Sequence, residues 1–220
     1  MRNPYFNTPP VVKNLIIANC VIYLAVTLIP QVGLFCAKHL LLYMCDSPLF
    51  HSYQYVTSLF LHIDIDEQAL QYGKILVNGG DFWHLFSNMF ALWMFGRTLE
   101  FEIGSKRFLI YYIVCGIGAS LIQMGIAALV GDNLILSGAS GAVFGLLLAF
   151  GVMHPNNEIY IIPLPFPIKA KWFVLGYAVL EIALGWSGAN TGVAHFAHVG
   201  GMLWGLALLF WWRKKGKIFF

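Results

Sequence analysis

The sequence predicts an all-α membrane protein: a single domain, residues 1–220, folded as a bundle of six transmembrane helices with one long outer loop between the first two. Three observations lead there. Of 220 residues, 59% are hydrophobic and only 10% charged, and the mean hydropathy of +0.73 lies far outside the usage of a water-soluble domain. The apolar residues gather into stretches at 12–31, 82–103, 107–130, 138–154, 170–187 and 193–212. These lengths suit helices that rise about 1.5 Å per residue through about 30 Å of hydrocarbon. The basic residues, finally, are distributed almost entirely to one side of such a bundle.

The first stretch, 12–31, is too long for the core of a cleavable signal peptide and lacks a small-residue cleavage site, so it is expected to remain as a span. Loop 32–81 is too long to lack structure of its own. Short helices in the outer interface are expected around LLYMCDSPLFHSYQYVTSLFLH, with aromatic residues at headgroup depth. HIDIDEQALQYGKILVNGGD then reads as a polar excursion; its acids beside His62 lack recognisable metal-ligand spacing, and no metal is expected. Cys36 and Cys45 share this loop, where either a disulfide or two free thiols are compatible with the spacing. Cys20 and Cys115 fall inside spans, where a thiol packs as a small apolar group.

Spans 82–103 and 107–130 are joined by a short turn, and the fourth, 138–154, begins within SGASGAVFG. PNNEIYIIPLPFPIKAK carries four prolines, which stop helices and remove donors, and so connects the fourth span to the fifth, 170–187. The sixth, 193–212, runs into RKKGK.

On one side of this arrangement fall Arg2, Lys13, Arg97, Lys106, Arg107, Lys169, Lys171, Arg213, Lys214, Lys215 and Lys217; on the other fall only Lys38 and Lys74. Orientation follows basic residues in short flanking loops, so both termini are expected in the cytoplasm. Loop 32–81 and the short loops near 131–137 and 188–192 then face outward, with Asp46, Asp64, Asp66, Glu67, Asp81 and Asp132 among them. With short tails and no targeting segment, a bacterial inner (plasma) membrane is the expected location. Beside a span, RKKGK holds a helix end at anionic lipid headgroups, and nucleic acid is not expected as a partner.

A polar side chain inside a span is expensive and marks either a functional site or an interhelical hydrogen bond. His84 and Asn88 stand at i and i+4 on one face of the second span. Ser140 begins the fourth and His198 lies in the outer half of the sixth. Each has a plain reading: serine as a helix cap, histidine as a packed hydrogen-bonding residue, His84 with Asn88 as a tie between helices. The glycines change the weighing. Gly141 and Gly145 follow Ser140, Gly201 and Gly205 follow His198, and small residues four apart let helix backbones approach closely. If the two helices pack along these stripes, the hydroxyl meets an imidazole that can take its proton. No acid lies near His198 in sequence, and Glu181 is the only carboxylate in the core of the fifth span, so a Ser-His dyad is expected. His84, the Asn88 amide and the Ser140 N–H are the candidate donors to an oxyanion.

These elements resemble the rhomboid family of intramembrane serine proteases, over about residues 10–213. The family's G-x-S-G is matched by Gly138, Ser140 and Gly141; H-x-x-x-N by His84 and Asn88; A-H-x-x-G-x-x-x-G by Ala197, His198, Gly201 and Gly205; and E-x-x-x-G-S by Glu100, Gly104 and Ser105, a turn that reads as structural. The resemblance makes Ser140 the nucleophile, His198 the base and His195 a bystander or a site-edge residue. Where the family often has Tyr to stack on the base, this chain has Phe144. His62 resembles the family's other outer-loop histidine, residues are inserted between it and His84, and the family's tryptophan-arginine pair in the outer loop is missing.

The resemblance implies a six-helix bundle with an outward-opening site, the fifth helix and a cap loop as gate, and cleavage of transmembrane protein substrates without metal or other cofactor. The alternative is a catalytically inactive rhomboid-like binder or adaptor, although such proteins lack the serine or the base. A transporter would call for paired broken helices or internal repeats, which the sequence does not display.

Overall fold

The computed structural model describes residues 7–65, 75–160, 165–187 and 193–218. Helix α1, Pro10–Leu28, opens on a proline whose missing N–H has no partner to lose in a first turn. It stops at Ile29, which is forced to extended backbone by the proline that follows, and α2, Pro30–Leu40, starts there. The apolar stretch 12–31 is therefore divided between two helices.

Loop 32–81 carries helical pieces where short helices are expected, with little helix in the first half of the segment singled out. After α2 the chain runs through turns to a single short helical piece, α3, Gln54–Thr57, continued by the 3-10 turn Ser58–Phe60. The fully buried Gln54 side chain holds the turns together. Its oxygen accepts from the His51 N–H at 3.1 Å, and its amide donates to the Leu49 carbonyl at 2.8 Å. Strands β1, Ile63–Ile65, and β2, Val77–Gly80, pair antiparallel at the base of the polar excursion. Residues 66–74, with Asp66 and Glu67, lie outside the described residues. Cys36 is buried, Cys45 exposed, and both are free thiols.

The stretch 82–103 is one continuous helix in which α4, Phe82–Ala91, passes through a wider π turn, Leu92–Gly96, into α5, Arg97–Ile103. Gly104 ends it, and α6, Ser105–Val130, α7, Ser140–Met153, α8, Ala170–Ser187, and α9, His195–Lys214, follow. The proline-rich connector is pinned by β3, Glu158–Ile159, paired with β4, Ile168–Lys169. Helices α1 and α6 are long and apolar enough to cross a membrane. Leu24, Trp83, Phe86, Leu129, Trp186 and Phe210 stand exposed on the outer faces, a surface that lipid tolerates and water does not.

The core of the bundle is α6, α7 and α9. With no hydrophobic force between helices in lipid, close backbone approach and dispersion do the holding. A methyl group on Gly201 would strike the Gly141 carbonyl; one on Gly145 would strike Cys115, and one on Gly205 the Tyr111 hydroxyl. That hydroxyl donates to the Gly145 carbonyl at 2.8 Å, locking the α7/α9 crossing from α6. At the end of the bundle opposite the start of α7, the buried Glu100 carboxylate accepts from the Val11 N–H at 3.0 Å, the Val12 N–H at 2.8 Å and the Ser105 hydroxyl at 2.6 Å. It caps α1 and ties the α5–α6 turn to it.

Candidate functional site

The start of α7 is fixed from three directions. Leu136 exchanges backbone hydrogen bonds with Leu42, the Gly138 N–H donates to the Ser58 carbonyl at 2.9 Å, and Gly138 itself adopts φ 103°. Glycine is required there twice over: the φ is left-handed, and a Cβ would enter the His84 imidazole. Ala139 then occupies the cap position and Ser140 is the first helical residue. The serine is therefore not the helix cap. Half-buried, it lines a small cavity with Ser58, Ser120, Ser137, Ala194 and Ala197.

The second span meets this segment at His84, whose imidazole lies against Gly138. The Asp81 carboxylate caps α4 by accepting from the His84 N–H at 3.0 Å, which fixes where the helix, and so His84, begins. One turn on, the buried Asn88 amide donates to the His84 carbonyl at 2.9 Å and lies 3.4 Å from His62 Nε2. The His62 and His84 rings meet edge to face at 4.8 Å. Burial, and secondarily the neighbouring His84, push the His62 imidazole down to about 3. His62 thus belongs with His84 and Asn88 rather than with the acids that follow it in sequence.

Helix α9 carries the remaining groups. Gln123 on α6 accepts from the Ala197 N–H at 3.0 Å, satisfying a first-turn donor and setting the start of the helix. His198 is buried and stacks on Phe144 with ring centroids 3.9 Å apart and planes 7° from parallel. Gly141, next to Ser140, packs on Ala119 and near the Ala197 carbonyl, so the start of α7 faces the turn that bears His198. Gly201 lies at this same crossing, whereas Gly145 and Gly205 work a turn deeper, as packing.

One group was not assigned from sequence. Glu181, buried on α8, reaches both histidines of α9 with a single oxygen: Oε2 lies 2.7 Å from His195 Nδ1 and 2.9 Å from His198 Nδ1. The imidazole expected to act as the base therefore has a carboxylate at its Nδ1, and His195 is bound to that same carboxylate. The signals available were a lone acid in an apolar span and two histidines three residues apart. The donor atoms of these three residues lie within 4.8 Å of one another, a spacing that a metal ion tolerates. Both Nδ1 atoms, however, are already engaged with Oε2. Chemically, the site offers a hydroxyl at a helix start, an imidazole with a carboxylate at its Nδ1, and the polar groups His84 and Asn88 on the second span.

A family model described as the rhomboid domain matches residues 74–215. The chain is 32% identical over 219 residues to rhomboid protein 1, mitochondrial, of Saccharomyces cerevisiae, covering 96% of this chain and 56% of that one. It is 28% identical over 184 residues to rhomboid-like protein 11, chloroplastic, of Arabidopsis thaliana, covering 74% and 53%. It is also 32% identical over 123 residues to rhomboid protease GluP of Bacillus subtilis, covering 56% and 22%. The chain spans about half the length of the first of these relatives, and less of the last.

Proposed function

This chain belongs to the rhomboid family and is an integral membrane protein, and on that premise we propose that it is an intramembrane serine endopeptidase cleaving transmembrane segments of other membrane proteins. The observation that carries the reading is the α7/α9 crossing: Gly141 and Gly201 touch, and Phe144, one turn after Ser140, stacks on His198. In this reading Ser140 is the nucleophile and His198 the general base. His198 Nε2 takes the hydroxyl proton as Oγ bonds to the scissile carbonyl carbon. In this reading the resulting oxyanion is met by the Ser140 N–H at the open helix start, the Asn88 amide and His84. Collapse expels the amine, which receives the proton from His198. Water, deprotonated by the same imidazole, then releases the acyl group and regenerates the hydroxyl.

We further propose that residues 1–220 form one domain whose six apolar helical stretches all span the membrane. We place it in a bacterial plasma membrane; the strongly one-sided Lys and Arg distribution supports cytoplasmic chain ends and an outward-facing site.

The test is cleavage of a single-pass transmembrane reporter together with labelling by a fluorophosphonate. Wild type is expected to cleave and to label; Ser140→Ala should do neither, and His198→Ala should lose cleavage while still inserting. Parent-rate cleavage by either variant would overturn the assignment. An unlabelled, inactive wild type would instead favour the non-catalytic adaptor.

A further inference from the structure

We propose that Glu181 is a positioning residue, fixing the tautomer and orientation of His198 through one carboxylate oxygen that His195 shares and holds in place. The inference deepens the Ser140/His198 reading and rests on it.

An ionised carboxylate only accepts hydrogen bonds. Two imidazole nitrogens within hydrogen-bond reach of the same Oε2 must therefore both carry their protons, and they are Nδ1 of His195 and Nδ1 of His198. In a neutral imidazole that leaves Nε2 with the lone pair, the state a general base requires. The i, i+3 spacing brings both rings to one face of α9, one turn apart, so a single carboxylate on α8 serves both. Phe144 adds the missing constraint. Stacked within 7° of parallel, it sets the ring plane, while the Nδ1 bond decides which nitrogen is turned away from α8.

The same oxygen serves the transition state. When His198 takes the Ser140 proton it becomes an imidazolium, and its new charge arises beside a carboxylate in a poorly screened interior. The second histidine follows from the cost of that charge. A buried carboxylate with a single donor is badly satisfied inside an apolar bundle. His195 supplies a second N–H at 2.7 Å and keeps Oε2 from turning away. A purely mechanical tie between α8 and α9 would need neither the charge nor a particular tautomer.

Those differences set the experiment. In Ser140→Ala protein with ¹⁵N-labelled histidine, the imidazole shifts of His198 should report Nδ1–H with bare Nε2, and Glu181→Leu in that background should shift it toward the Nε2–H form. An Nε2–H His198, or no change in Glu181→Leu, overturns the proposal. In the active protein, Glu181→Gln keeps the shape and an acceptor but removes the charge. It should lower kcat by about 10²- to 10⁴-fold with KM nearly unchanged, and slow fluorophosphonate labelling of Ser140 in parallel. His195→Gln should lose less, about tenfold. Parent kcat in Glu181→Gln overturns the proposal. If wild type never labels at Ser140, the protease reading fails, while the tautomer measurement still decides the role of Glu181.

Discussion

Two buried carboxylates stand at opposite ends of this bundle, Glu100 at 2% exposure and Glu181 at 4%. Glu100 accepts from two backbone amides and a hydroxyl, all fixed by the chain and none able to change protonation near neutral pH. Glu181 reaches two imidazoles, side chains that can pass a proton in catalysis. Burial alone therefore says little about the use of a carboxylate. What separates a structural acid from a functional one is whether its partners can gain and lose a proton.

The sharpest way to break this comparison is to remove the structural acid. Glu100→Ala leaves the first-turn amides of α1 without their acceptor and frees the α5–α6 turn, and should cost about 2–3 kcal/mol of stability. Turnover per folded molecule should stay within about twofold, because nothing at Glu100 touches the start of α7. Thermal unfolding in detergent gives the first number and activity normalised to fluorophosphonate-titrated enzyme the second. A variant with parent stability, or one folded but inactive, would dissolve the distinction.

The difference between the two acids also marks the limit of what the sequence discloses. Stretch 82–103 ends where its helix ends, because aspartate and glycine punctuate the apolar run locally. Pro30 is an equally local signal for the break that divides 12–31, masked by its apolar flanks. Ser140, His84, Asn88 and the glycines were legible because spacing along one helix decides which side chains share a face. Glu100 was legible as a structural turn through its spacing to Gly104 and Ser105. The engagement of Glu181 depends on how α8 leans on α9, a tertiary fact with no counterpart in spacing. The β1/β2 and β3/β4 pairings are long-range for the same reason.

A second test sharpens the comparison on the side of the site. If His84 and Asn88 meet the oxyanion, His84→Ala and Asn88→Ala should each lower kcat by about 10²-fold. The loss should appear in kcat rather than in KM, since the charge they meet exists only in the transition state. Should the loss vanish once activity is normalised to folded protein, both residues would move to the structural side with Glu100.

His62 sits on the border, buried like a structural residue yet in ring contact with His84, and its effect should be the smallest. Its imidazole is pushed from the ordinary 6.5 down to about 3. Between those values the unfolded chain binds a proton that the folded chain refuses. Its contribution is therefore intact above about pH 6.5 and declines as the pH falls toward 3. The unfolding temperature of wild type should accordingly drop more between pH 7 and about pH 4.5 than that of His62→Gln, which has nothing to titrate. Identical pH slopes would mean that His62 reaches water and takes its proton freely. It would then belong neither with the fixed partners of Glu100 nor with the closed cluster of titratable groups around the start of α7.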